Sequence, residues 1–316
     1  MAKTRKRPQP KNYQEQRFTL TLWTLSIVAG LLLVVQHIFY DQDDVLLRLM
    51  VVIIAISVPP FILFWQSNWR LHDIIDFNID PTLIVLSGGL GLVVWAIGWW
   101  GMSVLQEDVL FEVFGVFRPP SIYLPNNLDD GWLLLVIGDV VLIPLGLMVL
   151  LWGGLRQQIQ DASIWQVVLL CGGYLGLFGA LLFGQGVSGM VGYGLCGVAA
   201  GFVSYYTRSA WAGFATHATF MYANRAFLDN LLLEMTFEDD NGLRLPEQYF
   251  GIKWLSLVLI TSLIAIALIQ VIRFRSKLEP SEKVSTFPLT SPRWGAIALS
   301  VIIFVLLIID EAQRRG

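Results

Sequence analysis

The chain has 316 residues, of which 55% are hydrophobic and only 14% are charged, against roughly 25% charged residues in a typical soluble domain. This composition excludes a disordered chain, a nucleic-acid-binding protein built on basic patches and an ordinary cytosolic enzyme. The formal net charge of −3 says little, because the information lies in how charge is distributed along the chain.

Nine stretches of the sequence are apolar enough and long enough to cross a bilayer, for which about 20 residues are needed. The seventh is the weakest, because it contains His217, Asn224 and Arg225. The sequence therefore predicts an all-α polytopic membrane protein with about nine transmembrane helices. The stretches are residues 18–40, 45–66, 82–104, 132–152, 164–186, 187–206, 209–228, 253–274 and 294–310.

These spans divide the chain into four predicted regions. They are a basic cytoplasmic tail at 1–17, a three-helix segment with an outer loop at 18–131, a four-helix core at 132–228, and an acidic outer loop with two C-terminal helices at 229–316. The first 17 residues are too long and polar for the charged start of a signal peptide, and the apolar run after them has full spanning length. We therefore expect the first span to be retained.

The basic residues alternate with the predicted spans. With a cytoplasmic N-terminus, 14 Lys and Arg residues fall on cytoplasmic segments, and the outer loops carry only Arg118, Arg244 and Lys253. Since positively charged loops remain in the cytoplasm, we predict a cell-membrane protein whose N-terminus is cytoplasmic and whose C-terminus is outside. Tryptophans near the span ends predict an interfacial aromatic belt; those near the inner ends are Trp65, Trp69, Trp152, Trp165, Trp211 and Trp294.

Glycine is concentrated in spans five and six. Eleven of the 28 glycines lie between residues 172 and 201, and both spans carry a GxxxG pattern. Because small residues allow helices to approach closely in lipid, we predict that these two spans form the tightly packed centre of the bundle. Cys171 and Cys196 lie in the same pair and are expected to be inert, small hydrophobic residues.

Residues 197–217 read GVAAGFVSYYTRSAWAGFATH. This order of a Gly-rich helix, a T-x-S-x-W turn and a histidine-bearing helix resembles the CPBP family of intramembrane proteases, which are CAAX proteases and bacteriocin-processing enzymes. The sequence WGGLRQQ at 152–158 is similar to the end of the family's first motif. The resemblance implies a CPBP-like core in spans four to seven. Its matching positions are Gly197, Gly201, Thr207, Ser209, Trp211 and His217.

The resemblance also implies where the first catalytic motif of the family would fall. In the family this motif is a glutamate pair followed by an arginine, and a glutamate activates water. Here the glutamate pair falls on Leu147 and Met148, and the arginine falls on Trp152. A general base needs a titratable group, and none of these three side chains supplies one.

The second and third family motifs are also incomplete. The second, a phenylalanine followed four residues later by a histidine, falls near Phe183, with Val187 at the histidine position. In the third motif His217 matches, but Met221 occupies the asparagine position and Asn224 comes three residues later. The resemblance therefore implies the fold of the family without most of its catalytic side chains.

Asp139, His217 and Asn224 form the candidate site, since polar groups at bilayer depth usually face a cavity or a partner. At about 1.5 Å per residue, Asp139 lies roughly 10 Å and His217 about 16 Å below the outer boundary. If spans four and seven touch, Asp139 is within reach of Arg225, Asn224 or His217. One interpretation is a remnant or repurposed catalytic site around a buried water or small ligand, and the other is a polar clamp between helices with a neutral His217.

Two acidic clusters lie in the predicted outer loops. Glu107 and Asp108 resemble a displaced glutamate pair, with Glu112 where an arginine is expected. The EDDNG sequence at 238–242 lacks the ligand spacing of a calcium loop, so we predict a solvated acidic turn. The three histidines are not expected to converge, and we predict neither a metal site nor a cofactor.

Three functions are compatible with the sequence. The first is a proteolytically inactive, structural or complex-associated subunit with a CPBP-like fold. The second is an active CAAX-type intramembrane endopeptidase that uses Glu107 or Asp139 with His217. The third is a small-solute transporter with a pathway at the Gly-rich residues 184–194, around Gln185 and Ser188, which otherwise form a tight outer turn. The expected partners are the lipid bilayer and other membrane proteins, and not nucleic acid.

Overall fold

Helices dominate the described part of the chain. The computed structural model describes residues 11–39, 45–67, 80–104, 137–155, 163–182, 186–235, 237–239, 242–244, 252–276 and 290–315. Within these residues each of the nine predicted apolar stretches corresponds to one helical segment. The segments are α1 (Lys11–Phe39), α2 (Val45–Ser67), α3 (Pro81–Val104), α4 (Ile137–Leu155), α5 (Ile164–Leu181), α6 (Gly186–Thr207), α7 (Ala210–Met235), α8 (Ile252–Arg275) and α9 (Ser291–Arg315).

Six of the described helices are long and apolar enough to cross a membrane, which are α1, α3, α4, α5, α8 and α9. In α2 the apolar stretch Leu49–Leu63 is shorter, and the helix contains Pro59 and Pro60. Helices α6 and α7 are not among these six, and the side chains at the start of α6 (186–188) and at the end of α7 (225–235) lie outside the described residues. The membrane character of the protein is therefore clear from six helices, and the count of nine spans stays a prediction.

Local sequence explains where several helices begin. Asp80 precedes α3, and its Oδ1 accepts a hydrogen bond of 2.9 Å from the backbone N–H of Thr82, while Pro81 is the first helical residue. Ser163 caps α5 in the same way through the backbone N–H of Gln166. These are the residue types that satisfy the free N–H groups of a first helical turn.

Helix α4 is irregular. It is π-helical over Ile137–Leu142 and Met148–Leu155, with α-helical turns at Ile143–Leu147 between them. Pro144 lies in the middle section and has no backbone N–H to donate to the helix. A π-helical turn carries an extra residue and often marks a functional position, and here the two π-helical sections contain Asp139 and Trp152.

Helices α5 and α6 cross at their glycines, as the sequence predicts. A Cβ at Gly197 would lie 2.6 Å from the carbonyl oxygen of Cys171 and 2.9 Å from the Cα of Gly172. A Cβ at Gly176 would lie 2.9 Å from the carbonyl oxygen of Met190. Because only glycine permits such backbone contact, this antiparallel pair forms the tightly packed centre of the bundle.

Two pairs of neighbouring helices run in the same direction. Helices α3 and α7 are parallel, because Ser87 contacts Thr216 near their starts and Trp95 contacts Asn224 further along. Helices α1 and α9 are also parallel: Arg293 lies over the ring of Phe18 near their starts, whereas Ile303 contacts Gly30 further along. Parallel pairing of odd-numbered helices is what a chain that alternates in direction produces.

Two details differ from the sequence-based expectations. Trp152 is not at an interface but completely buried, because α4 packs inside the bundle at this level. The segment 184–194 is not a turn over its whole length, since α6 begins at Gly186 and its glycines pack against α5. At the predicted acidic turn 238–242 the structure describes two short antiparallel strands, β1 (Phe237–Asp239) and β2 (Gly242–Arg244), in which Asp239 pairs with Gly242, and residues 240 and 241 lie outside the described part of the chain.

Candidate functional site

His217 lies on α7 in the centre of the bundle and is 0% exposed. Among the residues that the structure describes, neither of its ring nitrogens has a hydrogen-bond partner. Its imidazole contacts the indole of Trp152 edge to face, with the ring centroids 6.4 Å apart and the planes at 80°. The position that resembles the catalytic histidine is therefore buried against an aromatic ring.

A glycine one turn earlier on α7 makes room for this indole. A Cβ at Gly213 would lie within 3.0 Å of three atoms of Trp152, so a larger side chain would displace the indole. Gly213 and His217 are four residues apart and therefore share a face of the helix. The pair sets how closely α4 and α7 approach each other.

Aromatic rings also cover the next turn of this face. Phe220 contacts Tyr193 of α6 with the ring centroids 5.3 Å apart, and both side chains are completely buried. Tyr193 in turn lies directly against Gly179 of α5. Aromatic side chains therefore pack on α7 both at His217, through Trp152, and one turn later at Phe220, through Tyr193.

On another face of α7, threonines form hydrogen bonds to α3. The hydroxyl of Thr216 donates to the carbonyl oxygen of Ser87 at 3.0 Å, and that of Thr219 donates to the carbonyl oxygen of Gly88 at 2.8 Å. A Cβ at Gly91 would overlap both Thr216 and Thr219. These contacts were not predicted from the sequence, although threonines opposite a Gly-rich helix are a recognisable signal for close packing.

Asn224 belongs to the same contact between α3 and α7. Its Oδ1 accepts a hydrogen bond of 3.4 Å from the indole N–H of Trp95, and both side chains are buried. This hydrogen bond joins α7 to α3, whereas the predicted polar clamp joined Asn224 and His217 of α7 to Asp139 of α4. The side chain of Arg225 lies outside the described atoms, so its pairing with Asp139 stays a prediction.

Asp139 is 1% exposed and lies near the start of α4. Helices α4 and α7 contact each other, which is the condition predicted from the sequence for Asp139 to reach α7. His217, however, is level with Trp152, thirteen residues further along α4. At about 1.5 Å per residue this separation is up to roughly 20 Å. The structure therefore brings Asp139 and His217 to different levels of the bundle, and no hydrogen bond joins them within the described atoms.

The positions implied for the family's first and third motifs are apolar and buried. Leu147 and Met148 are both 0% exposed, and Met221 is buried on α7. Phe183 and Gln185, like Glu107, Asp108 and Glu112, lie outside the described residues, as do the side chains of Val187 and Ser188. Among described side chains, no three His, Cys, Asp or Glu residues form a group that could hold a metal ion.

Comparison of the chain with protein-family models, with curated proteins and with solved structures gives no match. The class of the protein therefore rests on its own architecture, which is a predominantly helical bundle with six helices suited to a membrane. At its centre is a completely buried histidine packed edge to face against the indole of Trp152, a contact that we term the aromatic enclosure. This enclosure can hold an imidazole rigidly, but the described residues place no carboxylate beside it.

Proposed function

We propose that the chain is a nine-span integral membrane protein with a CPBP-like core in α4 to α7, and that it acts as a structural or complex-associated subunit without proteolytic activity. The observation that carries this proposal is the contact between Trp152 and His217. An indole occupies the position where the family resemblance implies an arginine, and it packs on the one catalytic side chain that is retained. Peptide hydrolysis needs a positioned general base and room for water beside the reacting carbonyl, which this packing does not favour.

The distribution of arginines supports a cytoplasmic N-terminus. The Lys and Arg side chains that the structure describes all lie at the end of the bundle where α1 begins, and they are Arg17, Arg208, Arg273, Arg275 and Arg293. Of the described aspartates, Asp139 and Asp310 lie toward the other end. Because Lys and Arg are retained on the cytoplasmic side, we assign the Arg-rich end to the cytoplasm and the C-terminus to the outside.

The alternative functions have less support. An active endopeptidase using Asp139 would need this carboxylate beside His217, from which it is separated along α4. A transporter would need a broken helix or a polar pathway near the midplane, whereas α6 is continuous from Gly186 to Thr207. Neither alternative is favoured by a specific contact in the described residues.

Proteolysis can be tested directly on the purified full-length chain in proteoliposomes. The substrates are a prenylated CAAX peptide and a transmembrane peptide, with protein-free vesicles as the blank. We expect no cleavage above the blank for the wild type or for His217→Ala. Cleavage by the wild type that is abolished in His217→Ala, while a variant at an exposed position without an assigned role, such as Gln313→Ala, keeps it, would refute the proposal.

Histidine modification tests the aromatic enclosure itself. His37 is 71% exposed and serves as the internal reference, whereas His217 is completely buried. With diethyl pyrocarbonate and peptide mass spectrometry, we expect modification at His37 and none at His217 in the folded wild type. In Trp152→Ala the loss of the indole opens the enclosure, so His217 becomes modified. Equal reactivity of the two histidines in the wild type would show that His217 faces accessible water.

The subunit role can be tested by photo-crosslinking from α8, of which only 11% is buried inside the bundle. A photo-reactive residue at Leu263, which is 66% exposed, is expected to form a discrete protein adduct in native membranes. The same residue at the buried Ala265 is the control and is expected to give no intermolecular adduct. Adducts to lipid alone at Leu263 would contradict a partner subunit on this face.

A further inference from the structure

The Arg-rich end of the bundle carries an exposed guanidinium supported by an aromatic ring. The Cζ atom of Arg273, at the end of α8, lies 5.6 Å from the ring centroid of Tyr206 on α6. A ring face holds a guanidinium in a fixed orientation through cation–π attraction and leaves its N–H groups available. Arg208 follows Tyr206 by two residues and is also exposed.

The charge at this position is not neutralised within the described part of the chain. The neighbouring Arg275 donates to the Asp80 carboxylate at 3.1 Å and to the Thr82 hydroxyl at 3.1 Å. The acidic side chain described at this end of the bundle is that of Asp80, and its carboxylate is paired with Arg275. Arg273 and Arg208 form no such ion pair among the described residues, so this surface retains positive charge.

Apolar and aromatic side chains lie directly beside these arginines. Phe274 is 88% exposed. The ring of Phe202 stacks on Tyr206 with the centroids 6.4 Å apart, and Trp165 meets Phe202 edge to face at 5.7 Å. A ligand suited to this surface therefore carries both a negative group and an apolar chain. A free anion has no apolar chain.

We propose that the surface formed by Arg273, Tyr206 and Arg208 binds the headgroup of an anionic phospholipid. The guanidinium of Arg273 would donate to the phosphate oxygens, as planar guanidinium groups do, and Arg208 adds a second positive charge. The acyl chains would lie along Phe274 and the exposed apolar face of α8. This inference rests on the proposed membrane embedding, in which this end of the bundle reaches the headgroup level of one leaflet.

Lipid affinity of the full-length protein in nanodiscs tests this inference. Binding of phosphatidylglycerol in a phosphatidylcholine background is measured by native mass spectrometry for the wild type, Arg273→Gln and Arg275→Gln. We expect about fivefold weaker binding in Arg273→Gln, the effect of removing one basic side chain at an anionic surface, ~1 kcal/mol. Arg275→Gln is the matched control. It removes the same charge two residues further along α8, but the guanidinium of Arg275 is already paired with Asp80. The lipid affinity of this variant is expected to stay within about twofold of the wild type.

The ring can be tested separately from the charge. Tyr206→Phe keeps the aromatic face and is expected to bind like the wild type, whereas Tyr206→Leu removes the support for Arg273 and weakens binding. Equal losses in Arg273→Gln and Arg275→Gln would indicate a general field effect and overturn the inference. Competition by inorganic phosphate alone would identify a soluble-anion site and also overturn it. If the chain does not integrate into vesicles at all, the membrane proposal itself fails, whereas integration without preference for phosphatidylglycerol refutes only this inference.

Discussion

Ser26 of α1 and Ser300 of α9 share a hydrogen bond of 2.9 Å between their hydroxyl oxygens. The Ser26 hydroxyl also lies 2.8 Å from the carbonyl oxygen of Ala296 and 3.4 Å from the hydroxyl of Tyr174 on α5. Helix α9 is otherwise little buried. This polar contact, together with Arg293 on the ring of Phe18, explains how the last helix of the chain is held against the first.

We predict that Ser26→Ala lowers the stability of the protein in detergent by about 1–2 kcal/mol, because one hydroxyl serves several buried partners. The measurement is the unfolding midpoint in a denaturing-detergent titration. Ser276→Ala is the control, since the hydroxyl of Ser276 bonds only to the Arg273 carbonyl of its own helix at an exposed position among the described contacts. Equal midpoints for Ser26→Ala and the wild type would show that the contact does not hold α9 in place.

Replacing Gly213 by alanine should destabilise the protein by about 1–3 kcal/mol, because the new methyl group would overlap Trp152 in a packed core. Thermal unfolding in detergent measures the effect. At Gly173 a Cβ would meet nothing within 4 Å, so Gly173→Ala should be neutral or slightly stabilising. Equal unfolding temperatures for Gly213→Ala and Gly173→Ala would contradict the close approach of α4 to α7 at Gly213.

Arg208 has a positive φ of 52°, in the turn where the Thr207 hydroxyl accepts from the Ser209 N–H and the Ser209 hydroxyl accepts from the Trp211 N–H. Because non-glycine residues are strained in this conformation, Arg208→Gly should raise stability by about 1 kcal/mol. Arg208→Val should lower it, since a β-branched residue tolerates this φ least. Both are measured in zwitterionic detergent, to keep headgroup binding out of the comparison. A lower midpoint for Arg208→Gly than for Arg208→Val would contradict the turn geometry.

The stability of the Arg-rich end should depend on pH through Asp80. Its pKa lies below the ordinary value of 3.8, chiefly because the carboxylate accepts the backbone N–H of Thr82 and, next, because it accepts from Arg275. A carboxyl whose pKa is lowered by folding stabilises the protein above its unfolded pKa, and this contribution is lost as the pH falls through the folded pKa.

We therefore expect acidification from neutral pH to below 3.8 to destabilise the wild type more than Asp80→Asn, which has no charge to lose. The difference should be small because the pair is exposed. Unfolding midpoints of both proteins over this pH range provide the measurement. Parallel pH profiles would mean that the cap and the ion pair do not form.

Much of the architecture follows from local sequence properties. Within the described residues each predicted apolar stretch corresponds to one helical segment, because a long apolar run in lipid must satisfy its backbone hydrogen bonds internally. The close packing of α5 and α6 was also predictable, since it depends on glycine alone. The prediction that Trp152 is interfacial was wrong. A tryptophan near a span end has the sequence pattern of an interfacial residue, and no neighbouring residue in the sequence reveals that α4 lies inside the bundle at this level.

The chemistry of the centre depends on which helices become neighbours, and this is a property of the folded chain. The sequence alone identified His217, Asn224 and Asp139 as polar groups at membrane depth, because such residues contrast with the apolar runs around them. Tertiary packing decided that Trp152 covers His217, that Trp95 donates to Asn224, and that Asp139 lies near the other end of α4. These pairings join residues far apart along the chain, so hydrophobic periodicity and residue spacing contain no information about them.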